Sequence, residues 1–79
     1  MSIEHLVRMV NDIADYFRSE PDREVAIAGV SNHLKKFWDP RMRRQIVAHL
    51  HSGGAGLSEL ARAGVVRVAE LDGAQQRQR

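Results

Sequence analysis

Asp39 and Pro40 stand side by side in the run Lys35-Lys36-Phe37-Trp38-Asp39-Pro40-Arg41-Met42-Arg43-Arg44. A proline ring crowds the residue before it out of the α region, so no helix passes through Asp39. The same pair is a favoured start for a new helix, with a carboxylate as N-cap and a proline at N1, where a missing N–H costs no intrahelical bond. The chain must therefore turn a corner here between two helices. That corner carries the only Trp and five of the twelve basic residues. Two aromatics end one apolar helical pattern, the capping pair opens the next, and cations stand on both sides. The run reads as a recognition surface and favours a binding module over a catalyst.

Apolar spacing on either side of the corner is helical throughout. Ile3, Leu6, Val7, Val10, Ile13, Ala14 and Phe17 repeat at i, i+3, i+4 and i+7, which predicts an amphipathic helix over residues 3–17 with Ser2 as its N-cap. Ser19-Glu20-Pro21-Asp22 interrupts it, and Pro21 suits the first turn of a second helix reaching Phe37. The core stripe expected there is Ala26, Ile27, Val30, Leu34 and Phe37, with Trp38 at its margin. The opposite side carries Val25, Ala28, Gly29, Asn32 and Lys36, mostly small residues where long charged ones are usual. A glycine inside a helix costs about 1 kcal/mol against alanine, and close approach of another backbone would offset that.

A third helix is expected over about residues 40–52, with Met42, Ile46, Val47 and Leu50 inward, Arg41, Arg44, Gln45 and Ala48 outward and Arg43 at the edge of the apolar arc. Gly53-Gly54-Ala55-Gly56 stops it, and Ser58 is placed to cap a fourth helix. On that helix Leu57, Leu60, Ala61, Gly64, Val65, Val68 and Leu71 share one side, Val66 stands exposed, and the pattern ends near Asp72. The expectation is an all-α fold: one small compact bundle of four short helices over residues 1–72, followed by a disordered polar tail at 73–79.

A chain of 79 residues supports one domain, and its core is marginal, so a partner would stabilise it. The absence of cysteine removes disulfides, thiolate metal sites and cysteine nucleophiles together, and it fits a reducing compartment. Met1-Ser2-Ile3-Glu4-His5 is unlike a basic signal-peptide start, and no apolar run approaches a membrane span, so a cytoplasmic location is expected. Residues 1–24 hold six acids against three bases, whereas residues 25–49 hold five bases and only Asp39. This dipolar layout fits either orientation of a charged partner or ion pairing between helices.

Catalytic constellations are missing from the pattern. His49 and His51 are two residues apart and so project to opposite sides of a helix, unlike metal-binding pairs four apart. The glycine cluster has no Lys and Ser/Thr of a phosphate loop, and Asp12 and Asp15 fall on a solvated face. A helix-turn-helix reader of nucleic acid exposes polar residues along several turns. Here the cations cluster in the first turn of the third helix, and the net charge is only +2. Trp38 fits two roles, a lid over the core or, beside arginines, an interface hot spot.

The run Leu34-Lys35-Lys36-Phe37-Trp38-Asp39-Pro40-Arg41-Met42-Arg43-Arg44 resembles the signature of the delta subunits of soluble NAD-dependent, molybdenum-containing formate dehydrogenases. Leu6-Val7-Arg8-Met9-Val10-Asn11-Asp12-Ile13, Pro21-Asp22-Arg23, Ala28-Gly29-Val30, Gly53-Gly54 and Gly56-Leu57-Ser58 are similar to that family too. The resemblance covers about residues 5–71 and leaves out the Gln/Arg-rich tail. It implies a non-catalytic accessory subunit of a cytoplasmic complex. The large subunits of such a complex would carry the molybdenum cofactor, iron–sulfur clusters and FMN, oxidise formate and reduce NAD, while this chain binds no cofactor. On this reading the expected partner-binding residues are Lys36, Trp38, Arg41 and Arg44, with Arg43 beside them and Val25 and Gly29 as a second contact. Asp39 and Pro40 are expected to be structural caps. Two other readings use the same residues: a small basic nucleic-acid-binding or regulatory module, and a homodimer that buries Val25 and Val66.

Overall fold

A computed structural model describes residues 2–77, and its elements are α1 (Ile3–Phe17), α2 (Arg23–Phe37), α3 (Pro40–His51) and α4 (Glu59–Arg77). No strand occurs among the described residues, so the all-α fold expected from the spacing is the fold found. Each helix begins at a short polar side chain that satisfies otherwise orphaned amide groups. Ser2 Oγ accepts from His5 N at 3.2 Å, Asp22 Oδ1 from Glu24 N at 3.0 Å, Asp39 Oδ1 from Met42 N at 2.9 Å, and Ser58 Oγ from Ala61 N at 3.2 Å. Asp22, not Pro21, therefore fixes the start of α2. Its carboxylate binds two amides of the first turn, which leaves the proline outside the helix.

At the other end of α3 the chain closes with paired bonds from Gly53 N to Leu50 O and from Gly54 N to His49 O. This is the Schellman arrangement, which needs a left-handed residue after the cap, and Gly53 supplies it at φ 116°. α4 continues to Arg77, past the expected stop near Asp72, so Gly73 does not end it. Residues 78 and 79 of the expected tail lie outside the described residues.

The core gathers Leu6, Val10 and Ala14 from α1, Val30 and Leu34 from α2, Trp38 from the corner, Ile46 from α3, and Ala61, Val65 and Val68 from α4. The most extensive pairing is α2 with α4. Arg23 is paired with Glu59, Val30 faces Gly64, and Lys35 is paired with Asp72, so these two helices run side by side in the same sense. Gly64 allows this approach, because a Cβ built on it would lie 2.8 Å from Val30 Cβ. A radius of gyration of 11.8 Å is what a compact chain of this length should have.

Three sequence expectations change places. Trp38 is buried at 4% exposure while Phe37 is 66% exposed, the reverse of the expected core stripe. Trp38 is the C-cap of α2 and leaves the helix with an extended backbone at φ −91° and ψ 138°, so helical phase does not set its direction, and its side chain turns into the core while Phe37 stays outside. Helical phase explains Leu71, expected inside but 39% exposed: at about 100° per residue it lies about 120° from the buried Val65, whereas Asp72 lies about 20° from it and turns inward to meet Lys35 and Arg43. Gly29 serves close packing, but its neighbour is an aromatic ring. A Cβ there would fall 2.5 Å from Phe17 Cε1, so the glycine is covered from within the chain.

Candidate functional site: the α2–α3 corner and its surroundings

The corner is held from four directions. Trp38 plugs into the core and its amide closes α2 by donating to Leu34 O at 3.0 Å. Arg43 reaches back from α3 and donates through Nη1 to Trp38 O at 2.8 Å and to Lys35 O at 3.2 Å, which satisfies carbonyls that the end of α2 leaves without helical partners. Arg43 Nε lies 3.6 Å from Asp72 Oδ2, and Lys35 Nζ lies 3.4 Å from Asp72 Oδ1. One carboxylate on α4 thus ties α2 and α3 together. These three side chains are less than a third exposed, so the ion pairs are less screened than surface pairs.

The residues expected to meet a partner divide accordingly. Trp38 is a core lid and Arg43 is consumed by the corner. Gly29 lies beneath Phe17, whereas Val25 is half exposed, as expected of the outer strip of α2. Lys36, Arg41 and Arg44 are exposed, and none makes an ion pair with a described residue. Asp39 and Pro40 act as N-cap and first residue of α3, as their order in the sequence requires.

Phe37 completes this surface, although its place in the apolar pattern hid it. Its ring lies 4.7 Å from the His33 ring, centroid to centroid, and Lys36 Nζ stands 6.0 Å from its centroid. A tertiary network missed in the sequence lies at the opposite end of α3, around the loop that follows it. Asn11 Nδ2 donates to Gly56 O and Asn11 Oδ1 accepts from Ser58 N, both at 2.9 Å. His49 Nε2 meets Ala55 O at 2.8 Å, and Arg62 Nη2 donates to Gly53 O at 2.9 Å. The loop's polar backbone is therefore secured by side chains from three helices. Asn11 faces a loop more than forty residues away, and nothing local in the sequence signals that pairing.

The chain supplies no thiolate for an iron–sulfur cluster, and no group of three His, Cys, Asp or Glu among the described residues is placed to hold a metal. Its residues therefore do not fit an iron–sulfur cluster held by cysteine thiolates. No helix among the described residues is long and apolar enough to cross a membrane.

Fold and surface together define, among the described residues, a small four-helix protein in which partly buried charges brace a corner, beside exposed cations without ion pairs and an exposed aromatic. The chain belongs to the family described as the NADH-dependent formate dehydrogenase delta subunit FdsD, whose model matches residues 5–65. That match takes in α1, α2, α3 and the start of α4, including the whole corner and the Asn11-braced loop. Neither a curated protein nor a solved structure matches the chain.

Proposed function

We propose that this chain is a non-catalytic accessory subunit that docks on the larger subunits of an NAD-dependent formate dehydrogenase and supports their assembly or their cofactor-loaded state. The observation that carries the reading is the family match across residues 5–65. The composition of the chain supports it, because a protein without cysteine leaves cluster ligation to partners. The molybdenum cofactor, iron–sulfur clusters, FMN and NAD then belong to those partners, as do formate oxidation and NAD reduction. A cytoplasmic location accompanies this function.

Docking also suits the energetics of so small a fold. A domain of this size has little stability in reserve, and binding to the folded state adds to it by mass action. Lys36, Arg41 and Arg44 are the cations free to contribute, since Arg43 and Lys35 are engaged with Asp72. The test is to produce the larger subunits with and without this chain and compare the yield of assembled, cofactor-loaded enzyme. A drop in assembled enzyme without the chain is expected. Equal yield, cofactor content and thermal stability in both preparations would contradict an assembly or stabilising role.

A further inference from the structure

We propose that Phe37 is the anchor of the docking surface, inserted into an apolar recess on a larger formate dehydrogenase subunit whose rim is acidic and meets Lys36, Arg41 and Arg44. This deepens the functional reading above and rests on it. The exposure of Phe37 is the first argument. It is a large aromatic at 66% exposure at the end of a helix whose next residue, Trp38, is buried at 4%. The ring lies against the His33 ring and near the Lys36 ammonium, and it belongs neither to the buried core nor to the side chains packed against that core.

Preorganisation is the second argument. Trp38 in the core, Arg43 on the Lys35 and Trp38 carbonyls, and Asp72 against both Lys35 and Arg43 fix the backbone on either side of Phe37. An aromatic on a fixed backbone loses little entropy on binding, and such side chains supply most hot spots in protein interfaces.

Charge selects the occupant. Of the five cations between residues 35 and 44, Lys35 and Arg43 share the single carboxylate of Asp72, and Lys36, Arg41 and Arg44 face solvent without an ion pair to a described residue. The nearest acid in sequence, Asp39, is also exposed and spends one oxygen on the cap of α3. The surplus is modest and flanks an exposed apolar ring in sequence, which fits an acidic protein surface better than a polyphosphate backbone, where many more contacts are usual.

The test uses the full chain and the larger subunits of the enzyme purified from cells that lack it. Phe37→Ser is expected to keep the wild-type helical signal and melting temperature and to weaken binding by about 30-fold or more, the loss typical of an interface hot spot. Combined Lys36→Glu, Arg41→Glu and Arg44→Glu should abolish the binding, and binding of the wild-type chain should weaken as salt rises. If the wild-type chain binds the subunits and Phe37→Ser binds equally well, the anchor is wrong while the accessory role stands. If the wild-type chain binds none of them, the accessory role itself fails. Two further outcomes would overturn the assignment by showing another occupant: a dimer in sedimentation that Phe37→Ser dissociates, or salt-sensitive DNA binding lost in the same variant.

Discussion

Gly64 of α4 lies so close under Val30 of α2 that a Cβ on the glycine would sit 2.8 Å from Val30 Cβ. Val30 is fully buried and its Cβ is attached to the α2 backbone, so a rotamer change alone cannot relieve that contact. Gly64→Ala should destabilise the protein by about 1–3 kcal/mol through overpacking, although alanine is the better helix former by about 1 kcal/mol. Adding Val30→Ala should return part of that loss. Denaturant unfolding of both single variants and the double gives the coupling energy, and simple additivity would contradict the contact.

Gly29 provides the contrasting case. Its neighbour is the Phe17 ring, a half-buried side chain with freedom to rotate, so the helix-propensity gain of Gly29→Ala offsets more of the clash. Gly29→Ala is expected to cost less than Gly64→Ala when the two are melted under the same conditions. The opposite order would show that Phe17 is as firmly held as Val30.

Asn11 bridges α1 to the loop before α4 through two hydrogen bonds. Asn11→Ala should cost about 1–3 kcal/mol, because the Gly56 carbonyl and Ser58 amide lose their partner together. Asn11→Asp keeps an acceptor for Ser58 N and loses the donor to Gly56 O. Amide hydrogen exchange separates the variants: Ser58 should exchange faster in the alanine variant and remain slower in the aspartate one. Equal protection of Ser58 in wild type and Asn11→Ala would rule out the bridge.

Ser31 is 1% exposed, and its hydroxyl has no hydrogen-bond partner among the described residues. A buried hydroxyl without a partner is a cost to the fold, so Ser31→Ala should leave stability unchanged or raise it by up to about 1 kcal/mol. Thermal unfolding checks this. A clear loss of stability would mean that the hydroxyl is bonded in solution.

The three arginines of the corner should behave differently although they crowd into four positions. Arg43→Ala removes the bonds to Lys35 O and Trp38 O and leaves Asp72 with Lys35 alone, so a loss of about 1–3 kcal/mol is expected. Arg41→Ala and Arg44→Ala should stay within about 0.5 kcal/mol, as exposed side chains without ion pairs to the described residues. Unfolding of the three variants side by side decides it, and an Arg43→Ala melt equal to the others would remove its bracing role.

Much of this architecture was legible in the residues. Ser2, Asp39-Pro40, Ser58 and the glycine cluster act locally, through bonds to amides and carbonyls within a few positions, and the expected helix ends around them are the observed ones. The errors fall near helix ends. Phe37 and Leu71 continue their apolar stripes at i+3, yet it is the next residue in each case that faces inward: Trp38 because the extended backbone of the C-cap turns it in, and Asp72 because it lies closer in phase to Val65. A choice by hydrophobicity alone puts Leu71 inside and leaves no reason to turn Asp72 inward. That reason is Arg43 and Lys35, which come from other helices. The residues expected as the candidate site divide differently in the structure: Trp38, Arg43 and Gly29 are drawn into the fold, and Phe37 is released from the core. Asn11 and the Gly53–Ser58 loop stayed hidden because their bonds join residues far apart in sequence.

The central claim is that this chain works as a bound accessory of a formate dehydrogenase. Affinity capture of the tagged chain from its native cells, followed by assay of the eluate for formate-dependent NAD reduction, tests it most directly. The account predicts that the large subunits elute in fixed proportion to the chain and that the activity elutes with them. Recovery of the chain alone, with all the formate-oxidising activity left in the flow-through at low salt, would contradict it.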